Sequence, residues 1–177
     1  IRNSAKFFLN NINELDLGNV IKELCEEKQY KKIATNIVKY SRLSKMNTTY
    51  DLKHAIEEVS HKKHINKTLS RVFQSIRMKV NNEIDNLNTF LSNSLKHIKK
   101  GGRIAVISFH SIEDRIVKNF FKKNAIKCLC PASFPICICE HKAKLKIINK
   151  KAICPSNLEI KRNPRSRSAR LRIVESL

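Results

Sequence analysis

The chain has 177 residues, 36 Lys+Arg against 15 Asp+Glu, a formal net charge of +21, six Cys and only three Gly. Gly18, Gly101 and Gly102 cannot compose a G-x-x-x-x-G-K-[ST] loop or a G-x-G-x-x-G turn, so the Gly-rich cradles that usually hold nucleotide-like cofactors are excluded. No stretch approaches the ~18 apolar residues of a membrane span, and no apolar signal core opens the chain; no membrane partner is expected, and the cysteines are expected to be reduced.

Residues 4–60 read as helices. Leu15, Leu17, Val20, Ile21 and Leu24 form one apolar face, and Ile33, Ala34, Ile37 and Val38 form another. Thr48 with Asp51 three positions on predicts a capping box for a helix running through Val59. His61–Lys67 is a polar connection. Leu69, Val72, Phe73, Ile76, Val80, Ile84, Leu87, Leu91, Leu95 and Ile98 then recur at helical spacing. They predict one helix, or two with a break near Asn81-Asn82. Lys99 and Lys100 before Gly101 and Gly102 make the expected ending.

Arg103–Phe109 is apolar without alternation, which predicts a central parallel strand. Ile112, Ile116, Val117, Phe120 and Phe121 give the buried face of a following helix. Helix, strand, helix in this order belongs to an α/β crossover fold. The segment 128–140 reads as loop. Leu145–Ile148 and Leu171–Val174 are short strand candidates.

Three groups of residues could carry chemistry. The first is the turn after the apolar strand, where α/β sheets place their ligands. It holds Ser108, His110, Ser111, Glu113, Asp114 and Arg115. Ser111 as N-cap with Asp114 at N3 gives those two a structural job instead; His110 and Glu113 have no such obvious job. The second is Cys128-x-Cys130 with Cys137-x-Cys139, near His141 and Cys154. Four thiolates suit tetrahedral Zn²⁺, although C-x-C is tighter than the usual ligand spacing; the alternative is a loop of reduced thiols. The third is the basic tail. Lys is abundant at 25 residues, in keeping with an AT-rich coding bias, so Arg is the better reporter of polyanion contact. Four of 11 Arg fall within Asn163–Arg172, as Arg165, Arg167, Arg170 and Arg172. Forked guanidiniums suit phosphates, and residues 101–177 carry 17 basic against 5 acidic groups.

The segment Gly102-Arg-Ile-Ala-Val-Ile-Ser-Phe-His-Ser-Ile-Glu-Asp-Arg-Ile-Val-Lys118 resembles the hallmark of the RsmH (MraW) family, methyltransferases of small-subunit ribosomal RNA. Phe73–Glu83 is similar to the family's upstream pattern, Asn163–Arg172 to its closing pattern, and the paired Cys-x-Cys loop with Pro155-Ser156 to a feature of many members. The likeness runs from about Ser4 to Glu175. It implies an S-adenosylmethionine (AdoMet)-dependent enzyme that methylates the exocyclic N4 amino group of a cytosine in the decoding region. It also implies a partial Rossmann-like methyltransferase sheet plus an all-helical inserted domain. Residues 1–68 would be the helical, substrate-recognising insertion, and 69–177 the C-terminal half of the catalytic domain.

If the chain serves such an enzyme, the polar groups of the turn after the strand, Ser108, His110, Ser111, Glu113 and Asp114, are expected to line the target-base pocket, with Glu113 or Asp114 accepting an amino proton and Ser108 and His110 positioning the base. Arg77, Arg115, Arg165, Arg167, Arg170 and Arg172 are expected to hold the RNA backbone. The implied partner is small-subunit rRNA or the small-subunit particle, in the cytoplasm of a bacterium or endosymbiont or in an organellar matrix. The family's Gly-rich AdoMet loop lies upstream of the residue matching Ser4. No cofactor-binding residue is therefore assigned here, and a fragment that binds AdoMet poorly alone is expected. A non-catalytic basic rRNA-binding protein and a zinc-stabilised interaction module are the competing readings.

Overall fold

The computed structural model describes residues 4–128, 130 and 138–177. It divides into two compact units, Ile1–Ile84 and Asp85–Leu177. Among the described residues no helix is long and apolar enough to cross a membrane.

The first unit is helical: α1 (Ala5–Asn11), α2 (Glu14–Cys25), α3 (Tyr30–Arg42), α4 (Thr49–Glu57) and α5 (Ile65–Val80). Its core is the set of apolar positions repeated at three and four residues. Leu17 and Ile21 of α2, Ile33 and Ile37 of α3, Ile56 of α4, and Val72 and Ile76 of α5 are buried together. Leu15 is the exception, 74% exposed at the first turn of α2. The Thr48–Asp51 capping box is present in both directions, and α4 ends at Glu57, two residues before the expected Val59. Part of the polar connection before α5 forms a 3-10 turn, Lys62–His64.

The long apolar run is two helices. α5 ends at Val80 and α6 spans Glu83–His97. Asn82, at φ 51, stands in the left-handed region that Asn tolerates better than most residues. The units divide at Ile84/Asp85, because α5 shares its buried face with the core of α2–α4.

The second unit holds most of α6, then β1 (Arg103–Ser108), α7 (Ser111–Ala125), β2 (Leu145–Ile147), α8 (Asn157–Arg162), a 3-10 turn at Pro164–Ser168 and β3 (Arg170–Ser176). The sheet order is β1-β3-β2, and both pairings are antiparallel. The central parallel strand expected for 103–109 is thus corrected. β1 pairs with β3 alone among the described residues, and its burial alternates, with Ile104 and Ser108 inside and Ile107 58% exposed. A strand with one covered face in this chain needs apolar residues only at alternate positions. The architecture is mixed α and β, with more helix than strand. Leu91 of α6, Ile104, Val117 and Phe121 of α7, Leu145 and Val174 form its core.

Gly101 turns the chain into β1 at φ +76, in the region that favours glycine. A Cβ on Gly102 would stand 2.9 Å from the Lys99 carbonyl oxygen. Asn149 was not anticipated from sequence. Its Oδ1 accepts the Ile173 N–H at 2.6 Å and its Nδ2 donates to the Leu171 carbonyl at 3.0 Å, so a side-chain amide continues the ladder of β3 beyond β2.

Candidate functional site

The strand, turn and helix Arg103–Ala125 place the first group of residues. Even positions of β1 face inward, so Ser108 is 2% exposed at its end. The chain then turns and enters α7. The N-cap is His110, not Ser111: its backbone is extended, and its Nδ1 accepts the Glu113 N–H at 3.3 Å. Glu113 is the N3 residue, and its Oε2 accepts the Phe109 N–H at 3.0 Å. The reciprocal cap therefore sits one residue earlier than the Ser111–Asp114 box expected from sequence. It gives His110 and Glu113 the structural job they had seemed to lack. Ser111 is exposed at the first helical position.

This cap fixes the histidine's tautomer. An Nδ1 that accepts a backbone N–H carries a lone pair, so in the neutral ring the proton is on Nε2. Nε2 sits 3.1 Å from Glu113 Oε1, without hydrogen-bond alignment. Burial pushes the Glu113 carboxyl up. The His110 side chain and the Phe109 N–H outweigh that and hold it below its ordinary range. The turn thus presents an ionised carboxylate beside an imidazole. Among the described residues, Ser108 Oγ and His110 Nε2 are buried without hydrogen-bond partners. A polar atom left so costs about 1–3 kcal/mol, and such costs are retained where a ligand completes the bond. Ser108→Ala is accordingly expected to leave stability unchanged or to raise it by up to about 1 kcal/mol, as read by urea unfolding. A loss of more than that would show that the hydroxyl is satisfied in the fold.

Asp114 has a different occupation. It is 5% exposed, and its two carboxylate oxygens take Arg172 Nε at 2.6 Å and Nη2 at 3.0 Å. Arg170 Nη1 reaches the same carboxylate at 3.4 Å. The register explains the meeting: Val106 lies opposite Arg172 and Ser108 opposite Arg170, so both arginines share the face of the sheet on which Ser108 lies. The bond to Arg172, working against burial, holds the Asp114 carboxyl below its usual value. A carboxylate clamped this way is a weak base, and of the two proposed acceptors Glu113 is the better placed. The partnership spans 58 residues, and no local sequence signal announces it.

The arginines proposed for RNA fall into separate groups. Arg165 and Arg167 are exposed on the 3-10 turn. That turn is ordered by Asn163 Oδ1, which accepts the Arg165 N–H at 3.2 Å, and by buried Ser166. Arg115 is exposed near the start of α7. Arg170 is half exposed, whereas Arg172 is 12% exposed and committed to Asp114. In the first unit, Arg77 makes a two-toothed ion pair with Glu83 at 2.9 and 3.0 Å.

Cys128, Cys130 and Cys139 gather their sulfurs within 4.8 Å of one another. Cys137 lies outside the described residues. His141 Nε2 is engaged 3.1 Å from the Lys123 carbonyl oxygen. Cys154 lies exposed, with its sulfur 3.9 Å from the Ala152 carbonyl oxygen.

One cavity of the second unit lies between α7 and the sheet. That cavity, of about 180 Å³, is lined by Lys118, Lys122 and Lys150 beside Phe121 and Asn149. Cofactor pockets span about 300–1,000 Å³. The lysine lining also repels a sulfonium. These residues do not fit the cationic cofactor AdoMet.

A family model described as the MraW methylase family matches residues 2–177. The protein named ribosomal RNA small subunit methyltransferase H of Caldicellulosiruptor saccharolyticus is 44% identical over 170 residues, covering 96% of this chain and 55% of that protein. The protein of the same name in Halothermothrix orenii is 41% identical over 175 residues, covering 97% and 56%. That of Finegoldia magna is 39% identical over 178 residues, covering 98% and 57%. The chain spans about half the length of the curated relatives it matches.

Proposed function

This chain belongs to the MraW methylase family, and we propose that it is the base-positioning and RNA-holding portion of an AdoMet-dependent methyltransferase of small-subunit ribosomal RNA. The target is the exocyclic N4 of a cytosine in the decoding region. The observation that carries the reading is the 108–113 turn, where two buried polar atoms without partners stand beside an ionised carboxylate.

The chemistry asks for that combination. The N4 lone pair of cytosine is delocalised into the ring, so the amino group attacks poorly unless it is held and oriented. As N4 gains a methyl group it must lose a proton. Glu113 accepts a hydrogen bond from one N4–H and takes that proton. The Nε2–H of His110 donates to an acceptor on the base edge, and the Ser108 hydroxyl completes the contact from the end of β1. A base inside a helix cannot reach such a turn, so it is unstacked first. Arg165, Arg167 and Arg115 contact the backbone, with Arg77 as a further contact on the helical unit. Asp114 and Arg172 position this machinery rather than touch the base.

A chimera tests the reading. The upstream portion of the C. saccharolyticus relative is joined to residues 4–177 and given small-subunit particles with methyl-labelled AdoMet. Incorporation into rRNA well above that with the upstream portion alone is expected. Equal incorporation in the two would overturn the assignment.

A further inference from the structure

We propose that Cys128, Cys130 and Cys139 hold one Zn²⁺ ion in a thiolate site that fastens the end of α7 to the start of β2. Three observations converge on it. The first is spacing between sulfurs. Cys128 Sγ and Cys139 Sγ are 3.7 Å apart. A disulfide would hold them at about 2.05 Å. Two corners of a tetrahedron with Zn–S bonds of about 2.3 Å lie about 3.8 Å apart. The third sulfur falls within the same 4.8 Å cluster, and no described cysteine is in a disulfide.

The second observation is where backbone donors point. The Cys130 N–H donates to Cys128 Sγ at 3.3 Å, and the Ile138 N–H donates to Cys130 Sγ at 3.4 Å. Amides aimed at sulfur leave its remaining lone pairs directed away from the backbone donors. They also hold each sulfur in place, as supporting hydrogen bonds do around metal ligands. A loop that merely stored reduced thiols has no need of either.

Charge is the third. Three thiolates on a divalent ion leave a net charge of −1, and the segment around them carries Lys122, Lys123, Lys127, Lys142 and Lys144. The ion is soft enough for sulfur and has no redox step of its own. The fourth corner of the tetrahedron is left to another donor. Binding releases the thiol protons, so affinity falls as the pH is lowered. In the fold the ion ties Cys128, just past the C-terminus of α7 at Ala125, to Cys139, just before β2 at Leu145. Closing that loop with a metal bond stabilises the second unit without enlarging its core.

The test is metal content and spectroscopy of the whole 177-residue chain, purified under reducing conditions. About one equivalent of zinc per chain is expected. Replacement by Co²⁺ should produce a near-ultraviolet thiolate-to-cobalt charge-transfer band and the intense visible bands of a tetrahedral site. Cys128→Ser and Cys139→Ser should each lose the metal to a competing chelator under conditions where Cys25→Ser and Cys154→Ser retain it. Circular dichroism shows that each variant keeps its helices; Co²⁺ binding to the unaltered chain decides the matter if one does not. A metal-free chain, a Cys128–Cys139 disulfide, or iron with acid-labile sulfide would each overturn the proposal.

Discussion

Asp114→Ala should destabilise the second unit by about 3 kcal/mol or more, because it strands Arg172, 12% exposed, without its carboxylate. Arg172→Ala should cost a similar amount by leaving buried Asp114 with only the longer contact to half-exposed Arg170. Arg170→Ala removes a longer contact from a half-exposed side chain and should cost less than about 1 kcal/mol. The contrast between two arginines on one strand is the diagnostic feature. Urea unfolding of the single variants, with the Asp114→Ala/Arg172→Ala pair to complete the cycle, measures it. The double variant should cost clearly less than the sum of the single ones. Equal losses at Arg170 and Arg172 would show that Arg172 is not the principal partner.

The same ion pair sets an acid limit. The Asp114 carboxyl is held below its ordinary value of 3.8 by Arg172. A carboxyl depressed in the folded state contributes its full stability above the unfolded value, and that contribution is lost as the pH falls below it through the folded value. Unfolding midpoints of the unaltered chain should therefore drop below about pH 4, and the drop should shrink in Asp114→Ala.

His110→Asn should lower methyl transfer by the chimera on the order of 100-fold, the usual scale for losing a positioned acid–base or donor group. The choice of Asn separates two roles that this histidine combines. Its Nδ1 caps α7, and Asn is among the best N-cap residues, so the helix keeps its cap. What is lost is the Nε2–H beside Glu113. Glu113→Gln should be as damaging for a different reason: the amide still reaches the Phe109 N–H through its oxygen but can no longer take a proton. Turnover should fall in both variants while the thermal midpoint stays near that of the unaltered protein. Unaltered turnover in both would remove the 108–113 turn from the reaction.

The fold was legible wherever one period dominated. The α2–α5 faces, the Thr48–Asp51 cap and the turn at Gly101-Gly102 are local, and local spacing carries them. Arg103–Ser108 was legible as a strand but not in its direction. Its partner β3 lies more than sixty residues away, and a run of Ile, Ala and Val looks alike whether one face is covered or two. The cap at the site was misplaced by one residue because Ser is a commoner N-cap than His, while the strand's inward register and the Phe109 turn decide which residue enters the helix first. The tail arginines looked alike in sequence. The β3 register separates them, sending Arg172 inward to Asp114 and leaving Arg165 and Arg167 on an exposed turn. Asn149 gave no signal at all, since an Asn that completes a ladder is indistinguishable from one in an ordinary loop.

The identity of the modified nucleoside decides whether this chain directs a methyl group to the exocyclic nitrogen of a cytosine. Small-subunit rRNA treated with the chimera and labelled AdoMet is digested to nucleosides and resolved by mass spectrometry. Labelled N4-methylcytidine from one site in the decoding region is expected, and it should be lost in His110→Asn and Glu113→Gln. Label on a ring carbon or on ribose, or salt-sensitive RNA binding with no labelled cytidine, would contradict it.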